Sequence, residues 1–258
     1  ARWRGLAALV WLAASLGVLM VFVLPAVLAG SPPLWVATVG ASTIAIITML
    51  TAHGFSLRTG VALLSTLLSL LLIAVLGAGV IEAGSFTGLA DESSTFLQAY
   101  LGTVDPRGLL LAGLVIGALG VLDDVTITQT AAVTEGAAAD PSLSRRALVE
   151  SGLRVGRHHV AATVNTLVLA YAGAALPLLL LFTLSGSGLG QVITNELVAQ
   201  EVVRTLVGAL GIVAAVPLTT ALAAGLLAPR RGRSDLPARD PREGLGVTNA
   251  YPQGTDDK

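Results

Sequence analysis

Two adjacent carboxylates, Asp123 and Asp124, follow a long apolar run that begins after Arg107. Ionised carboxylates are costly at membrane depth, so a membrane protein that keeps them there generally uses them for protons, ions or substrate. Two neighbouring carboxylates also repel each other when both are ionised, which favours the uptake and release of a proton by one of them. The pair is therefore our first candidate for a proton- or ion-coupling site.

The alternative is that this pair only marks the point where a membrane span meets water. The apolar run before Asp123 has about 16 residues, whereas a span needs about 20. Helical periodicity favours continuation of the helix beyond the pair, because Asp124, Thr128 and Glu135 would lie on one face of a helix. We therefore expect the span to continue as an amphipathic helix along the cytoplasmic interface and to end near Asp140.

A second polar group precedes and enters a later apolar block. Arg154, Arg157, His158 and His159 are consecutive or nearly so. They could form a basic anchor for lipid phosphates, or one of them could pair with an aspartate as a proton relay. Asn165 is costly to present to lipid, so we expect it to face another helix, as a helix–helix hydrogen bond or as a substrate contact. The possible relay or gating residues are Thr128, Arg157, His158 and Asn165.

Metal binding is a weaker interpretation of the His and Asp residues. Adjacent residues on a helix point about 100° apart, so neither His158-His159 nor Asp123-Asp124 chelates easily as a unit. The chain has no Cys, which excludes disulfides and thiolate ligands. It also lacks Gly-x-Ser-x-Gly, His-Glu-x-x-His and Walker-type motifs. We predict no metal, no cofactor and no enzyme activity, and any energy for transport would come from an ion gradient or a separate subunit.

The elements that position these residues follow from an apolar composition. The chain is 54% hydrophobic and 12% charged, with a mean hydropathy of +0.81. Ordinary globular chains carry roughly twice that charged fraction, and the apolar residues here are clustered into long blocks. We predict an all-α integral membrane protein in contact with the lipid bilayer. The net charge of −1 and the absence of a basic groove predict no nucleic-acid partner.

Six blocks approach the length of about 20 apolar residues that a helix needs to cross the hydrocarbon core. They predict a six-helix transmembrane bundle over residues 1–228. From Pro229 onward the Pro, Arg, Asp and Gly content cannot bury a core, so we predict a disordered cytoplasmic tail over 229–258. The predicted spans are residues 6–28, 34–51, 59–81, 107–124, 160–184 and 202–228.

Arginine placement predicts the orientation of the bundle. Cytoplasmic loops carry an excess of Lys and Arg, and twelve arginines fall on one side of the six-span arrangement. We therefore expect both termini of this chain to be cytoplasmic. The chain opens at Ala1 rather than at Met, and we expect that an N-terminal part is missing. The twelve residues are Arg2, Arg4, Arg58, Arg145, Arg146, Arg154, Arg157, Arg230, Arg231, Arg233, Arg239 and Arg242.

Two stretches, Gly117 to Val133 and Gly156 to Phe182, resemble the YibE/F family of bacterial membrane proteins. The first contains the Asp pair and the second contains Arg157, His158 and Asn165. The likeness extends across the six predicted spans up to the tail. It implies a multi-pass protein of the bacterial inner membrane, with a further span and an extracytoplasmic segment before Ala1. The family resemblance does not by itself imply an activity.

A more distant resemblance concerns the run from Asp105 to Ile127, which is similar to the aspartate-bearing helix of resistance-nodulation-division transporters and of the SecD/SecF translocation subunits. There, too, an amphipathic cytoplasmic helix follows the acids, and two more spans come after it. This likeness implies that Asp123 and Asp124 match the proton-carrying acids of that group. The chain departs from the group in lacking its large periplasmic domains and any Lys within a span.

These observations predict a polytopic inner-membrane protein that acts as a proton-coupled transporter or export component through Asp123 and Asp124. Its substrate would be a small molecule or an ion, and it could act as a homo-oligomer or with a partner subunit. The alternative is a non-transporting membrane scaffold or regulatory subunit of a larger complex, in which the same residues hold helices together.

Overall fold

The regular elements are helices throughout residues 2–186 and 188–227, the part of the chain that the computed structural model describes. The tail predicted over 229–258 lies outside these residues. A π-helical turn at Leu19–Val23 joins the first two helices. The helices are α1 Arg2–Val18, α2 Leu24–Leu28, α3 Pro33–His53, α4 Leu57–Ala83, α5 Glu92–Leu101, α6 Pro106–Ala139, α7 Arg145–Ala174, α8 Leu176–Leu184, α9 Leu189–Thr194 and α10 Glu196–Leu226.

Five stretches of helix are long and apolar enough to cross a membrane: Val10–Leu28, α3, α4, α6 and α10. The helices α7 and α8 pass the same test together but are bent by 53° at their junction, and they make a sixth if they count as one broken span. The prediction of an all-helical protein with several candidate spans is confirmed. The fifth predicted span, residues 160–184, is not one straight helix.

The centre of the bundle is formed by α4, α6 and α10, with α3 and α7 packed against its sides. Apolar side chains from all of these helices form the main core, among them Ile44, Ile73, Leu122, Leu167 and Ile212. Small residues let the helices approach closely. A side chain at Gly211 of α10, for example, would collide with Ile73 of α4.

The helix that carries the aspartates, α6, is a single helix of 34 residues. Asp105 caps its start by accepting hydrogen bonds from the backbone N–H groups of Arg107 and Gly108, and Pro106 occupies the first turn, where its missing N–H does no harm. At 1.5 Å per residue the helix is about 50 Å long. It ends at Ala139 with Asp140 as the capping residue, close to the predicted end.

The expected continuation of the helix beyond Asp124 is present, while its place along the cytoplasmic interface stays a prediction. The helix continues without a break, and residues 125–139 bury one face inside the bundle, including Gln129, Val133 and Ala137. The physical reason is that this half of α6 has its own partners in α4, α7 and α10. The aspartates consequently lie near the middle of a long packed helix and not at its end.

Candidate functional site

The two aspartates have different surroundings although they are adjacent. Successive residues of a helix point about 100° apart, and here the step turns one carboxyl group towards a neighbouring helix and the other outwards. Asp123 is half-buried, whereas 71% of the Asp124 side chain is exposed. The pair therefore offers one enclosed carboxyl group and one accessible carboxyl group.

Asp123 lies against α3. Its Oδ2 accepts a hydrogen bond of 3.2 Å from the Thr48 hydroxyl, which also lies 2.8 Å from the carbonyl oxygen of Ile44. The other oxygen, Oδ1, is buried and has no hydrogen-bond partner in the part of the chain that is described. A buried polar atom without a partner is uncommon, and it suggests strain or a functional role.

Asp124 faces α7. Its Oδ2 lies 3.6 Å from His159 Nε2, and this contact becomes an ion pair when the imidazole is protonated. About a third of the His159 side chain is exposed, but Nε2 itself is buried and has no hydrogen-bond partner within the described residues. A change of charge on either group therefore alters the attraction between α6 and α7.

Of the four basic residues expected to offer a partner for an aspartate, His159 is the one that the structure places beside the pair; the relay or gating role of Arg157 and His158 stays a prediction. Both side chains are exposed on α7, and His159 meets the aspartate instead. The reason is helical phase. The buried face of α7 includes Gly152 and Gly156, and His159 follows these residues at helical intervals of seven and three.

Asn165 and Thr128, the other two predicted relay or gating residues, lie apart from this cluster. The side chain of Asn165 is exposed on α7, so no described helix of this chain covers it; its expected contact with another helix or a substrate stays a prediction. The buried residue nearby is Leu167, and two steps along a helix turn a side chain by about 200°. Thr128 is half-buried, and in the described residues no hydrogen bond joins it to either aspartate.

Gly113, Gly117 and Gly120 precede the pair along α6 at near-helical spacing, which favours the close approach of another helix. Two of the three have no such neighbour among the residues that the structure describes. A side chain at Gly113 or Gly120 would meet nothing within 4 Å in the described chain. Only Gly117 has a close neighbour, the Tyr171 hydroxyl, at 2.7 Å from the position of an added Cβ. The close helix contact is made instead by Gly152 and Gly156 of α7.

A buried polar layer next to the pair was missed as a site by sequence reasoning. One turn beyond Asp123, the hydroxyls of Thr126 and Thr66 lie 2.7 Å apart, and both side chains are fully buried. Buried Gln129 donates through Nε2 to the Gly152 carbonyl oxygen and to the Thr220 hydroxyl, at 2.7 Å each. These bonds tie α6 to α4, α7 and α10.

Gly152 and Gly156 of α7 make room for this layer. A Cβ at Gly152 would lie 2.8 Å from the Thr220 methyl group, and one at Gly156 would lie 2.8 Å from Gln129 Oε1 and closer still to Val216. The sequence signal was the spacing Gly-x-x-x-Gly, which is typical of close helix contacts in membranes. Read together with Gln129 inside an apolar helix, it would have indicated where α6 and α7 meet.

Metal binding gains no support from the geometry. Over the described ranges, no group of three or more His, Asp and Glu side chains is placed to hold a metal ion. The arrangement instead provides an enclosed carboxyl group on α6, Asp123, and beside it an exposed carboxyl group, Asp124, in contact with an imidazole of α7. Such groups can bind, release and pass protons.

A family model described as YibE/F-like protein matches residues 1–229. The chain belongs to the YibE/F-like family. This confirms the resemblance that the sequence showed in its two long stretches, and both stretches lie inside the matched range. Searches of curated proteins and of solved structures gave no significant match. The more distant likeness to the resistance-nodulation-division and SecD/SecF proteins stays a prediction.

Proposed function

We propose that this YibE/F-like protein is a proton-coupled transporter or export component in which Asp123 and Asp124 carry the proton. The observation that carries the proposal is the buried Oδ1 of Asp123, which has no hydrogen-bond partner in the described chain. An ionised carboxylate with an unpaired buried oxygen is costly, and protonation removes the charge. Asp123 is therefore suited to alternate between a neutral and a charged form.

His159 and Asp124 provide the route by which a proton reaches Asp123. Asp124 is exposed and His159 is about one-third exposed, and the 3.6 Å between Asp124 Oδ2 and the buried His159 Nε2 lets a proton pass between them after a small movement. The imidazole changes its charge at physiological pH more readily than any other side chain. We assign His159 and Asp124 the role of collecting the proton and Asp123 the role of the coupling group.

The Thr48 contact links the charge of Asp123 to the position of α3. A charged Asp123 only accepts hydrogen bonds, so the Thr48 hydroxyl must donate to it. A protonated Asp123 can donate, and the Thr48 hydrogen is then free to bond the Ile44 carbonyl oxygen alone. The proton thus changes the bond that holds α3 to α6, which is a means of coupling protonation to helix movement.

We further propose a bacterial inner-membrane location with both termini of this chain in the cytoplasm. The support is the arginine distribution, since Arg58 in the first turn of α4 and Arg145 and Arg146 at the start of α7 lie at helix ends predicted to be cytoplasmic. The substrate would be a small molecule or an ion, and a second copy or a partner subunit could complete the transporter. We propose transport rather than catalysis for this site.

The test is proton flux through purified protein in liposomes that contain a pH-sensitive dye. Asp123→Asn should abolish flux while leaving thermal stability near that of the unmodified protein, since Asn keeps the shape and a hydrogen-bonding group. Asp124→Asn is the matched control, because the same change at the exposed neighbour should slow proton entry without abolishing it. Absence of flux in the unmodified protein in every tested lipid and substrate condition would reject the proposal.

The second candidate function is a membrane scaffold or regulatory subunit. The observation that favours it is the buried layer around Gln129, which joins four helices through hydrogen bonds and close glycine contacts. In that case Asp123 would serve packing alone. Asp123→Asn would then change stability and leave no transport defect to measure, which separates the two functions in the same experiment.

A further inference from the structure

A cavity of about 300 Å³ lies away from the aspartates, where α7 bends into α8 beside the first third of α10. Its lining is mostly apolar and includes Val168, Ala175, Leu179, Val202 and Leu206. The volume is at the lower end of the range for ligand pockets, about 300–1,000 Å³. None of the proposed coupling residues lines it.

The bend creates the cavity. The helix α7 ends at Ala174, and α8 begins with Pro177 in its first turn and departs at 53°. No residue of α8 is buried against the rest of the described chain. The two helices therefore leave a space between themselves and α10.

Tyr171 forms the inner wall. Its side chain reaches from α7 to α6, where a Cβ at position 117 would lie 2.7 Å from the Tyr171 hydroxyl. Gly117 is thus the residue that leaves room for this ring. Towards the outside, several of the apolar side chains that line the cavity are exposed, including Val202 and Leu206. A cavity with such a mouth, between helices apolar enough to cross a membrane, opens to hydrocarbon rather than to water.

One edge of the cavity carries opposite charges. Glu201 lines it, and its Oε1 accepts a hydrogen bond of 2.8 Å from Arg204, one turn further along α10. The two side chains are 30% and 27% exposed, and Arg204 Nε is buried without a hydrogen-bond partner in the described residues. A carboxylate beside a guanidinium group complements a molecule that carries an ammonium group beside a phosphate.

We propose that this cavity binds a phospholipid with a zwitterionic, ammonium-bearing head group. One acyl chain occupies the apolar space between α7, α8 and α10. The ammonium group lies at Glu201 and the phosphate lies at Arg204. A flexible hydrocarbon chain fits a lining that offers few hydrogen bonds, and the charged edge selects the head group. The site is independent of Asp123.

The experiment uses phosphatidylethanolamine and phosphatidylglycerol that bear the same photoreactive acyl chain, each incorporated into liposomes with the full-length protein. Cross-links are mapped by mass spectrometry. We expect labelling of Tyr171 to Leu179 and of Val198 to Leu206. Phosphatidylethanolamine should label these segments about fivefold more than phosphatidylglycerol does, a ratio that corresponds to roughly 1 kcal/mol.

Two substitutions fill the cavity, Ala175→Phe and Ala172→Phe, and either should reduce its labelling about fivefold, again roughly 1 kcal/mol. Leu169→Phe is the matched control, because Leu169 lies on α7, is 63% exposed and is outside the lining. Glu201→Gln should remove the head-group preference while chain labelling persists. Size-exclusion profiles identify a filling variant that misfolds, and the labelling of the other filling variant is then the test.

Equal labelling by the two lipids in the unmodified protein would overturn the head-group assignment and with it the proposal. Labelling that persists in correctly folded filling variants would show only the annular lipid that surrounds any membrane protein, and it would also overturn the proposal. Asp123→Asn should leave labelling unchanged, so failure of this site and failure of proton coupling are distinguishable.

Discussion

Gly156→Ala tests whether α6, α7 and α10 pack as closely as the structure shows. The added methyl group would lie 2.8 Å from Gln129 Oε1 and would collide with Val216. Neither neighbour can withdraw freely, because Gln129 is fixed by two hydrogen bonds and Val216 is buried. Overfilling of a packed interior costs typically about 1–3 kcal/mol, so we expect a loss of that size before helix propensity is counted.

Gly120→Ala is the control that removes helix propensity from the comparison. A Cβ at this position would meet nothing within 4 Å of the described chain. Replacement of Gly by Ala inside a helix stabilises it by about 1 kcal/mol at either position. The difference between the two variants therefore isolates the packing term, and we expect Gly156→Ala to be less stable than Gly120→Ala by about 1–3 kcal/mol.

The assay is reversible unfolding of the purified protein in mixed micelles, followed by circular dichroism, with both variants measured under the same conditions. The free energy of unfolding of Gly120→Ala should equal or exceed that of the unmodified protein. Equal free energies for Gly156→Ala and Gly120→Ala would refute the close contact at Gly156. They would also remove the reason for placing Gln129 in a tight interface.

Three further predictions concern the hydrogen bonds of Gln129, the pKa of Asp91 and the orientation in the membrane. Gln129→Leu removes two buried hydrogen bonds and should lower the free energy of unfolding by about 1–3 kcal/mol; an unchanged value would contradict these bonds. At the start of α5, partial burial works to raise the pKa of Asp91, but hydrogen bonds from Ser94 hold it below the ordinary 3.8. Since the folded pKa is the lower one, the cap stabilises α5 above about pH 4 and is lost as pH falls through the folded pKa. The protection of α5 amides against hydrogen exchange, relative to the intrinsic exchange rate at each pH, should therefore fall there, and Asp91→Asn should abolish this loss of protection. The chain has no Cys, so a single introduced Cys can be labelled selectively. With the proposed orientation, Phe96→Cys should react with a membrane-impermeant maleimide in intact cells, whereas Arg58→Cys should react only after lysis. The reverse pattern would contradict the proposed orientation.

Much of the helix pattern was predictable because it depends on local composition. The blocks at 34–51 and 59–81 were located to within about two residues of α3 and α4. The continuation of α6 beyond Asp124 was predicted, but the helices that pack against it were not. Hydrophobic periodicity shows that residues 125–139 form a helix, but which helices cover Gln129 depends on contacts with residues up to 91 positions away.

Of the residues in the candidate site, only the two aspartates were predictable from the sequence. Asp123 and Asp124 stand out in the sequence because charge is rare in apolar blocks. Thr48 and His159 do not, since a hydroxyl in a helix ordinarily bonds its own backbone and His158 carries the same chemistry one position away. The choice between the two histidines is fixed by the phase of α7, which Gly152 and Gly156 set by packing against α6 and α10.

Asp123 is the centre of this account, and infrared spectroscopy tests its proton directly. The carbonyl stretch of a protonated carboxylic acid is distinct from that of a carboxylate, so a pH titration of the protein in lipid should reveal carboxyl groups that gain and lose protons. The account predicts a titrating band that is absent in Asp123→Asn and present in Asp124→Asn. An identical set of bands in Asp123→Asn and the unmodified protein would contradict it, because Asp123 would then exchange no proton.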